Sequence, residues 1–232
     1  LYLKQLEEFG TWSKPRQNLF RLQCQDLLVL HEIEYNGFYY DEEKSKEESQ
    51  KTEAILHKLT TDIYGLVGDT RPNLNSDEHL SAILYGGKIK YERKIENGVF
   101  KSGKKEGQTR YRWEEEEVAY PRLTEPLEHT EAAKEGIWSV DKKVLGRLLW
   151  KRLSKKVETL IKLIIEYSKE MRSLSSYTDG LPKLITKMNW PRNILHGQIN
   201  QVVTKTGRTS SSKPNLQNFD SDLKHLFTSR FS

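Results

Sequence analysis

Between Leu19 and Tyr35 the apolar residues Leu19, Leu22, Leu27, Leu30 and Ile33 recur at roughly helical spacing, which predicts a helix closed by the turn pair Asn36-Gly37. Phe38-Tyr39-Tyr40 reads as a short extended piece. Asp41 then suits the N-cap of a long helix over 42–67, with Ala54, Ile55, Leu59, Ile63 and Leu66 as its apolar stripe. Asn75-Ser76 opens a further helix to about Leu84, ended by Gly86-Gly87. The period then changes. Lys90–Ile95, Asn97-Gly98 and Val99-Phe100-Lys101 predict a hairpin on a tight Asn-Gly turn, followed by a Gly/Lys-rich loop over 102–109 and a returning strand over 110–120. Helical spacing resumes after Ser139 and Asp141 with Val144, Leu145, Leu148 and Leu149. It continues through Val157, Leu160, Ile161, Ile164 and Ile165 to Leu174, as one long helix or two nearly continuous ones. Gly180 and Pro182 predict a break. Residues 196–204 and 226–231 look strand-like, with a polar, irregular stretch between them. The fold class expected is mostly α with a smaller β part, and no internal repeat is visible.

Composition narrows this picture. The 232 residues are 35% apolar and 31% charged, with a mean hydropathy of -0.76, as suits an elongated helical body with much surface. No apolar run approaches the roughly 20 residues that span a bilayer, and no membrane partner is expected. The chain starts at Leu1 with no signal-peptide pattern, so it is expected to be part of something longer. A single cysteine, Cys24, excludes an internal disulfide and a cysteine-based zinc site and fits a reducing, cytoplasmic setting. The net charge of +5 allows a polyanionic partner. Its distribution says more: residues 142–172 carry ten lysines and arginines against Glu158, Glu166 and Glu170, whereas 41–53 is acidic.

Candidate chemistry concentrates in Thr206-Gly207-Arg208-Thr209-Ser210-Ser211-Ser212-Lys213-Pro214-Asn215-Leu216-Gln217-Asn218. Asn215, Gln217 and Asn218 each present donors and acceptors, which suits the minor-groove acceptors that every base pair offers. Arg208 adds a planar cationic fork for phosphate, sugar or groove. On composition alone a polar surface loop is the plainer reading.

The order of the residues favours the other one. This string resembles the T-G-R-x-S-S-x-x-P-N-L-Q-N signature of family A DNA polymerases, departing at Thr209, where leucine is common; Phe219, just past it, stands where isoleucine is common. His196-Gly197-Gln198-Ile199-Asn200-Gln201 is similar to the strand that approaches it. Ile33–Phe38 with Asp41 resembles the family's entry into the thumb, and Leu74–Leu80 its N-S-x-x-x-L helix start. Trp138–Leu145 resembles the S-T-x-x-x-L start of the next thumb helix. Glu166–Arg172 with Ser175-Ser176-Tyr177 resembles the end of that helical pair, with Ser168 where the family often has arginine.

The resemblance implies a helical thumb of long antiparallel helices, a small β insert, and the first strands of an α+β palm. In that reading 1–20 is the tail of an exonuclease-like domain or a linker, and 21–87 and 127–187 are thumb. Residues 88–126 are an insert at the thumb tip, and 188–232 begin the palm. It implies primer-template DNA as partner, contacted by Thr206, Arg208, Ser210, Ser211, Asn215, Gln217 and Asn218, by Arg172, Ser175 and Ser176 at the thumb base, and by helix starts at Asn75, Ser76 and Ser139. Ordinary capping is an equal alternative for the last three. His196 is expected to be a hydrogen-bonding residue rather than a metal ligand. The metal-holding aspartates of phosphoryl transfer are expected beyond Phe231, so Asp220 and Asp222 are rejected as ligands. This chain alone is therefore expected to bind no cofactor and to be inactive, with Mg2+ belonging to the complete polymerase. A second polypeptide would carry the rest of palm and fingers, and a processivity factor is a candidate partner for 88–126. A phage origin is expected from that insert, with the host cytoplasm as location. A non-catalytic DNA-binding module derived from a thumb is the alternative.

Overall fold

The computed structural model describes residues 2–99, 107–132, 134–201 and 203–231, and it is mostly helical with three small antiparallel sheets. The chain divides into two compact units, one of residues 1–53 with 172–232, the other of 54–171.

The first unit is organised around a strand of three residues. Helix α1 (Tyr2–Gly10) and helix α2 (Lys14–Asn36) precede it, and Gly37 ends α2 by donating its N–H to Ile33 O at 2.9 Å. Strand β1 (Phe38–Tyr40) follows and takes the centre of a sheet. On one side it pairs with β4 (Ile194–Leu195), Phe38 opposite Leu195; on the other it pairs with β7 (Phe227–Thr228), Tyr40 opposite Phe227. Gly37 has φ +63° and ψ -169°, and a Cβ there would lie 2.6 Å from Leu195 O. Only glycine lets the chain leave a helix and enter the sheet this closely. Tyr40 is fully buried among Leu181, Ile185, Leu195, Leu223 and Leu226. Its hydroxyl is hydrogen-bonded to the Ser45 hydroxyl and donates to Tyr177 O at 3.3 Å, so the large ring enters the core with its polar tip satisfied. Helix α7 (Gly180–Met188) covers this core.

Helix α3 (Glu42–Val67) starts in this unit and ends in the second. Asp41 Oδ1 accepts the Lys44 N–H at 3.1 Å, and Glu42 and Glu43 sit in the first turn, where the helix dipole favours negative charge. Its buried stripe is Thr52, Leu56, Leu59 and Ile63. This corrects the expected stripe: Ala54 and Ile55 lie on the exposed side.

In the second unit α4 (Asp77–Tyr85) is capped by Ser76, whose side chain accepts the His79 N–H, and Leu80 through Tyr85 are all buried. Helices α5 (Lys142–Leu148) and α6 (Lys155–Ser173) are separate, in place of a nearly continuous run. Leu145 and Leu148 are buried in α5, and Val157, Leu160, Ile161 and Ile164 in α6. Carried through as one helix at about 100° per residue, the second set would lie roughly 140° around the axis from the first. The break over 149–154 lets both stripes face inward, and Ser154 restarts the helix by accepting the Val157 N–H on Oγ. After α6 comes a π-helical turn, Leu174–Thr178, and then α7. Gly180 and Pro182 thus open a helix where a break was expected. Proline fits there because N–H groups in a first turn have no helical partner.

Strands β2 (Gly87–Val99) and β3 (Thr109–Tyr120) form a long antiparallel ribbon. Asn97-Gly98 was expected to turn the hairpin. Instead it lies in β2, where the register shifts between Glu96 and Val99; residues 100–106, the end of the expected second strand and most of the expected loop, lie outside the described residues. The ribbon's root is anchored by Arg71, which bonds Asp69 through Nε and Nη2 and Glu116 through Nη1 at 3.0 Å, with its guanidinium 5.0 Å from the Tyr91 ring centre. The Tyr120 hydroxyl donates to Asp69 Oδ2 at 2.5 Å and pairs with the Tyr91 hydroxyl at 2.8 Å. The Arg71 guanidinium holds the Asp69 carboxyl well below the usual carboxylate range.

Two outcomes follow from this packing. Gly37→Ala should lower unfolding free energy by at least the ~1–3 kcal/mol cost of a residue forced into such a backbone region, read as a reduced denaturant midpoint at unchanged slope. The second concerns Tyr85, whose hydroxyl donates to Ser139 O at 3.3 Å and whose pKa burial pushes from the usual 10.0 up to about 12. Tyr85 then ionises in the unfolded chain before it does in the fold. The stability it contributes is complete below about pH 10 and is lost as pH rises toward about 12. Tyr85→Phe should flatten this alkaline limb in urea midpoints measured against pH. An unchanged limb would remove Tyr85 from the account.

Candidate nucleic-acid interface

The segment 204–218 is irregular, yet nearly every turn of it is held by its own side chains. Gly207, at φ +72°, closes a turn by donating its N–H to Thr204 O, and Thr204 Oγ1 donates to Arg208 O at 2.7 Å. Strand β6 (Ser210–Ser212) then pairs with β5 (Gln198–Asn200), with Ser210 opposite Asn200. The Asn200 amide donates to Ser212 Oγ at 3.1 Å. Ser211 is buried. Its hydroxyl donates to Asn215 Oδ1 at 3.1 Å and accepts the Gln217 N–H at 3.2 Å. Asn215 Oδ1 also accepts that N–H and so caps the 3-10 turn Leu216–Asn218. The Gln217 side-chain Nε2 returns to Thr209 O at 3.1 Å. Leu216 plugs the loop onto Gly197, where a Cβ would come within 2.5 Å of Leu216 Cδ1.

The signature residues therefore divide. Ser211 faces inward, and Asn215 and Gln217 are exposed but each uses one end of its amide on the loop. Thr206 and Arg208 are exposed, and Arg208 has no carboxylate partner among the described residues. The side chain of Asn218 lies outside what is described.

Arg172, Ser175 and Ser176 are exposed in the last turn of α6 and the π-helical turn, where Ser175 Oγ donates to Arg172 O at 3.4 Å. This turn is tied to the end of the loop: the Tyr177 ring meets Phe219 edge-on at 5.4 Å, and Phe219 stacks on Phe227 at 4.4 Å. One aromatic row, leading from the turn to the sheet strand β7, holds the two polar segments in the same unit.

In the second unit the three remaining residues are not brought together. Asn75 Oδ1 accepts the Tyr167 hydroxyl at 3.3 Å, and Ser76 caps α4. Ser139 lies instead alongside the rest of α4, its neighbour Trp138 donating to Ser81 Oγ and its own carbonyl accepting from Tyr85. The Ser139 hydroxyl donates to Asp141 Oδ2 at 2.9 Å. At that helix start a carboxylate stands close to where a phosphate would have to come.

Thr204 and Asn200 were given no role in the sequence, and Thr209 and Leu216 stood in the signature string without one. The signal for the polar three is weak: short polar side chains two to four positions from another polar group.

Among the described residues no three His, Cys, Asp or Glu side chains converge as a metal site requires. Asp220 accepts the Asp222 N–H as cap of the 3-10 turn Ser221–Leu226. His196 Nδ1 donates to Glu34 O at 2.9 Å and so holds β5 against α2. Among the described residues no helix is long and apolar enough to cross a membrane.

Comparison with known proteins gives a consistent result. The DNA polymerase I of Streptococcus pneumoniae serotype 4 is 27% identical over 224 residues, 97% of this chain and 20% of the relative. That of Caldicellulosiruptor bescii is 29% identical over 190 residues, 82% of this chain and 17% of the relative. The thermostable enzyme of Thermus filiformis reaches 45% over 60 residues, 25% of this chain and 7% of the relative. The chain thus spans about a fifth of the length of the first of these relatives. Among solved structures, the polymerase domain of Pol1 from M. smegmatis, in complex with DNA primer-template and dNTP, shares the fold at a TM-score of 0.54. That match has 18% identity and covers 82% of this chain and 25% of that one. The family model for DNA polymerase family A matches residues 42–230, and the chain belongs to that family.

Proposed function

We propose that this chain is the part of a DNA-directed DNA polymerase that grips the primer–template duplex, with the metal-holding carboxylates supplied by polypeptide outside these 232 residues. The observation that carries the reading is the self-braced loop 204–218. Its internal bonds use the Asn215 carbonyl oxygen and the Gln217 amide nitrogen, so the Asn215 Nδ2 and Gln217 Oε1 ends, with Arg208, are the groups offered outward. An amide donor matches the purine N3 and pyrimidine O2 acceptors that stand at similar places in every base pair, so such a loop reads duplex shape rather than sequence. Arg208 supplies a fork for phosphate or groove. Thr206, Ser210, Arg172, Ser175 and Ser176 add hydroxyls and a cation suited to backbone oxygens, which fix position without reading bases. Asn75, Ser76 and Ser139 have the weaker case, because their polar groups already serve the helices. The M. smegmatis relative's DNA primer-template and dNTP support the assignment of the ligand. The complete enzyme would use Mg2+ at residues that this chain does not provide.

Arg208→Ala should weaken binding of a labelled primer–template duplex about tenfold and lower the salt slope by about 1, measured by anisotropy across a salt series. Unchanged affinity and slope would remove the assignment. Ser211→Ala should act differently: loss of the buried hydroxyl, which serves two partners, should cost about 1–3 kcal/mol of unfolding free energy. Duplex affinity should then fall with the salt slope intact, since Ser211 touches the loop and not the ligand.

A further inference from the structure

Strand β3 is an open sheet edge. Among the described residues the ribbon has two strands only, α4 packs against β2, and the backbone of 110–118 is hydrogen-bonded only within the ribbon. Such an edge presents a row of unpaired N–H and C=O groups, which proteins blunt with proline, a bulge, a short strand or charge. β3 runs from Thr109 to Tyr120 without glycine or proline, and the ribbon's register shift falls between Glu96 and Val99 of the other strand. Residues 109–117 are exposed, apart from half-buried Glu114. Charge is the protection left, and the order of the charges decides what the edge admits.

Alternation along the strand puts Arg110, Arg112, Glu114 and Glu116 on one face, and Tyr111, Trp113, Glu115 and Glu117 on the other. The first face carries its cations early and its carboxylates late, so it complements a copy of itself running antiparallel. Directly opposed residues share a face, so a two-fold axis through the pairing must pass through a residue. With the axis at Trp113, Arg110 faces Glu116 of the copy, Arg112 faces Glu114 and Tyr111 faces Glu115, each pair occurring twice. An axis at Arg112 would set that residue against itself, and one at Glu114 would do the same with carboxylates. Parallel pairing in register would oppose all of 114–117 with their own kind. Like charges directly opposed destabilise a strand pair, so one register remains.

The groups needed are available. Arg110 has no carboxylate partner among the described residues. Within the chain Glu114 is bonded through Oε1 to Arg112, and Glu116 through Oε1 to Arg71, which leaves Oε2 of each for a second cation. Trp113, at 63% exposure, would gain an aromatic neighbour across the axis.

We propose that β3 is a homodimer interface, its free edge pairing antiparallel with the β3 edge of a second copy about a two-fold axis at Trp113. The same patch serves both copies, so the pairing ends at two rather than growing into a filament. It uses none of the residues assigned to DNA and stands or falls apart from the duplex reading.

Sedimentation velocity of the full chain over a concentration series at low salt should show a monomer–dimer equilibrium that weakens as salt is raised. Arg112→Glu and Glu114→Arg should each raise the dissociation constant about tenfold or more, because each opposes like charges twice. A 1:1 mixture of these two variants should dimerise about as well as the unsubstituted chain, since carboxylate then faces cation at both sites. Arg110→Glu, which breaks no ion pair within its own chain, should weaken the dimer similarly with an unchanged circular dichroism spectrum. A chain that stays monomeric up to its solubility limit overturns the proposal, and leaves the edge to a strand of another protein or to none. A dimer indifferent to Arg110→Glu overturns it by placing the contact elsewhere, and so does a mixture that recovers nothing.

Discussion

Three residues in the middle of a sheet hold together parts of the chain that lie far apart in sequence. Strand β1 pairs on one side with Ile194–Leu195 and on the other with Phe227–Thr228, and Tyr40 fills the core beneath. A slip of one residue in either pairing would turn Tyr40 out of the core, so the register is strongly specified despite the shortness of the strands. The polar loop inherits its place from this arrangement. From Leu195 the chain runs through Gly197, on which Leu216 rests; from Phe227 the aromatic row leads through Phe219 to Tyr177. The exposed groups at 172–176 and 206–217 are thus carried by apolar contacts that reach back to β1.

The molecule holds its polar projections in two different ways. The 204–218 loop is braced by neutral hydrogen bonds, among them Ser211 to Asn215 and Gln217 to Thr209. The ribbon's root is braced by a charged fork, Arg71 between Asp69 and Glu116. Salt screens the second kind far more than the first. Any salt dependence of the binding proposed for the loop would therefore report contacts with the ligand rather than softening of the loop itself. The ribbon's root is the more salt-sensitive of the two, although Asp69 is mostly shielded from solvent and its bidentate pairing moderates the screening.

Much of the fold was legible in the sequence, because apolar periodicity and caps act locally. Helix α3 runs from Glu42 to Val67 as its pattern implies, Ser76 caps α4, and the mostly helical class follows from such segments. What was misread had a nonlocal cause. The α5–α6 break contains neither glycine nor proline; its signal is the change of phase between Leu148 and Val157, with Ser154 as the new cap. Asn97-Gly98 suits a tight turn, but cross-strand pairing carries the ribbon past it. The central position of Phe38–Tyr40 is invisible in the sequence because its partners are roughly 155 and 190 residues away. The family was legible from the order of the residues in 206–218. The burial of Ser211 and the bracing roles of Thr204 and Asn200 were not, since a serine reads the same whether it faces solvent or core.

That division within the loop accounts for the density of its signature. A coil segment has no repeating ladder to satisfy its backbone groups, so side chains must do it. In 204–218 the inward roles go to Thr204, Gly207, Ser211, Leu216 and one end each of Asn215 and Gln217, while Thr206, Arg208 and the other amide ends face out. Asn215 and Gln217 serve both purposes at once. Replacing either by a hydrophobic residue of similar size would remove an outward group and also unbrace the loop that presents Arg208. A residue that must satisfy the backbone on one side and a ligand on the other has few substitutes. A run of such residues can therefore be recognised in a single chain even where the surrounding structure shares only its fold with distant relatives.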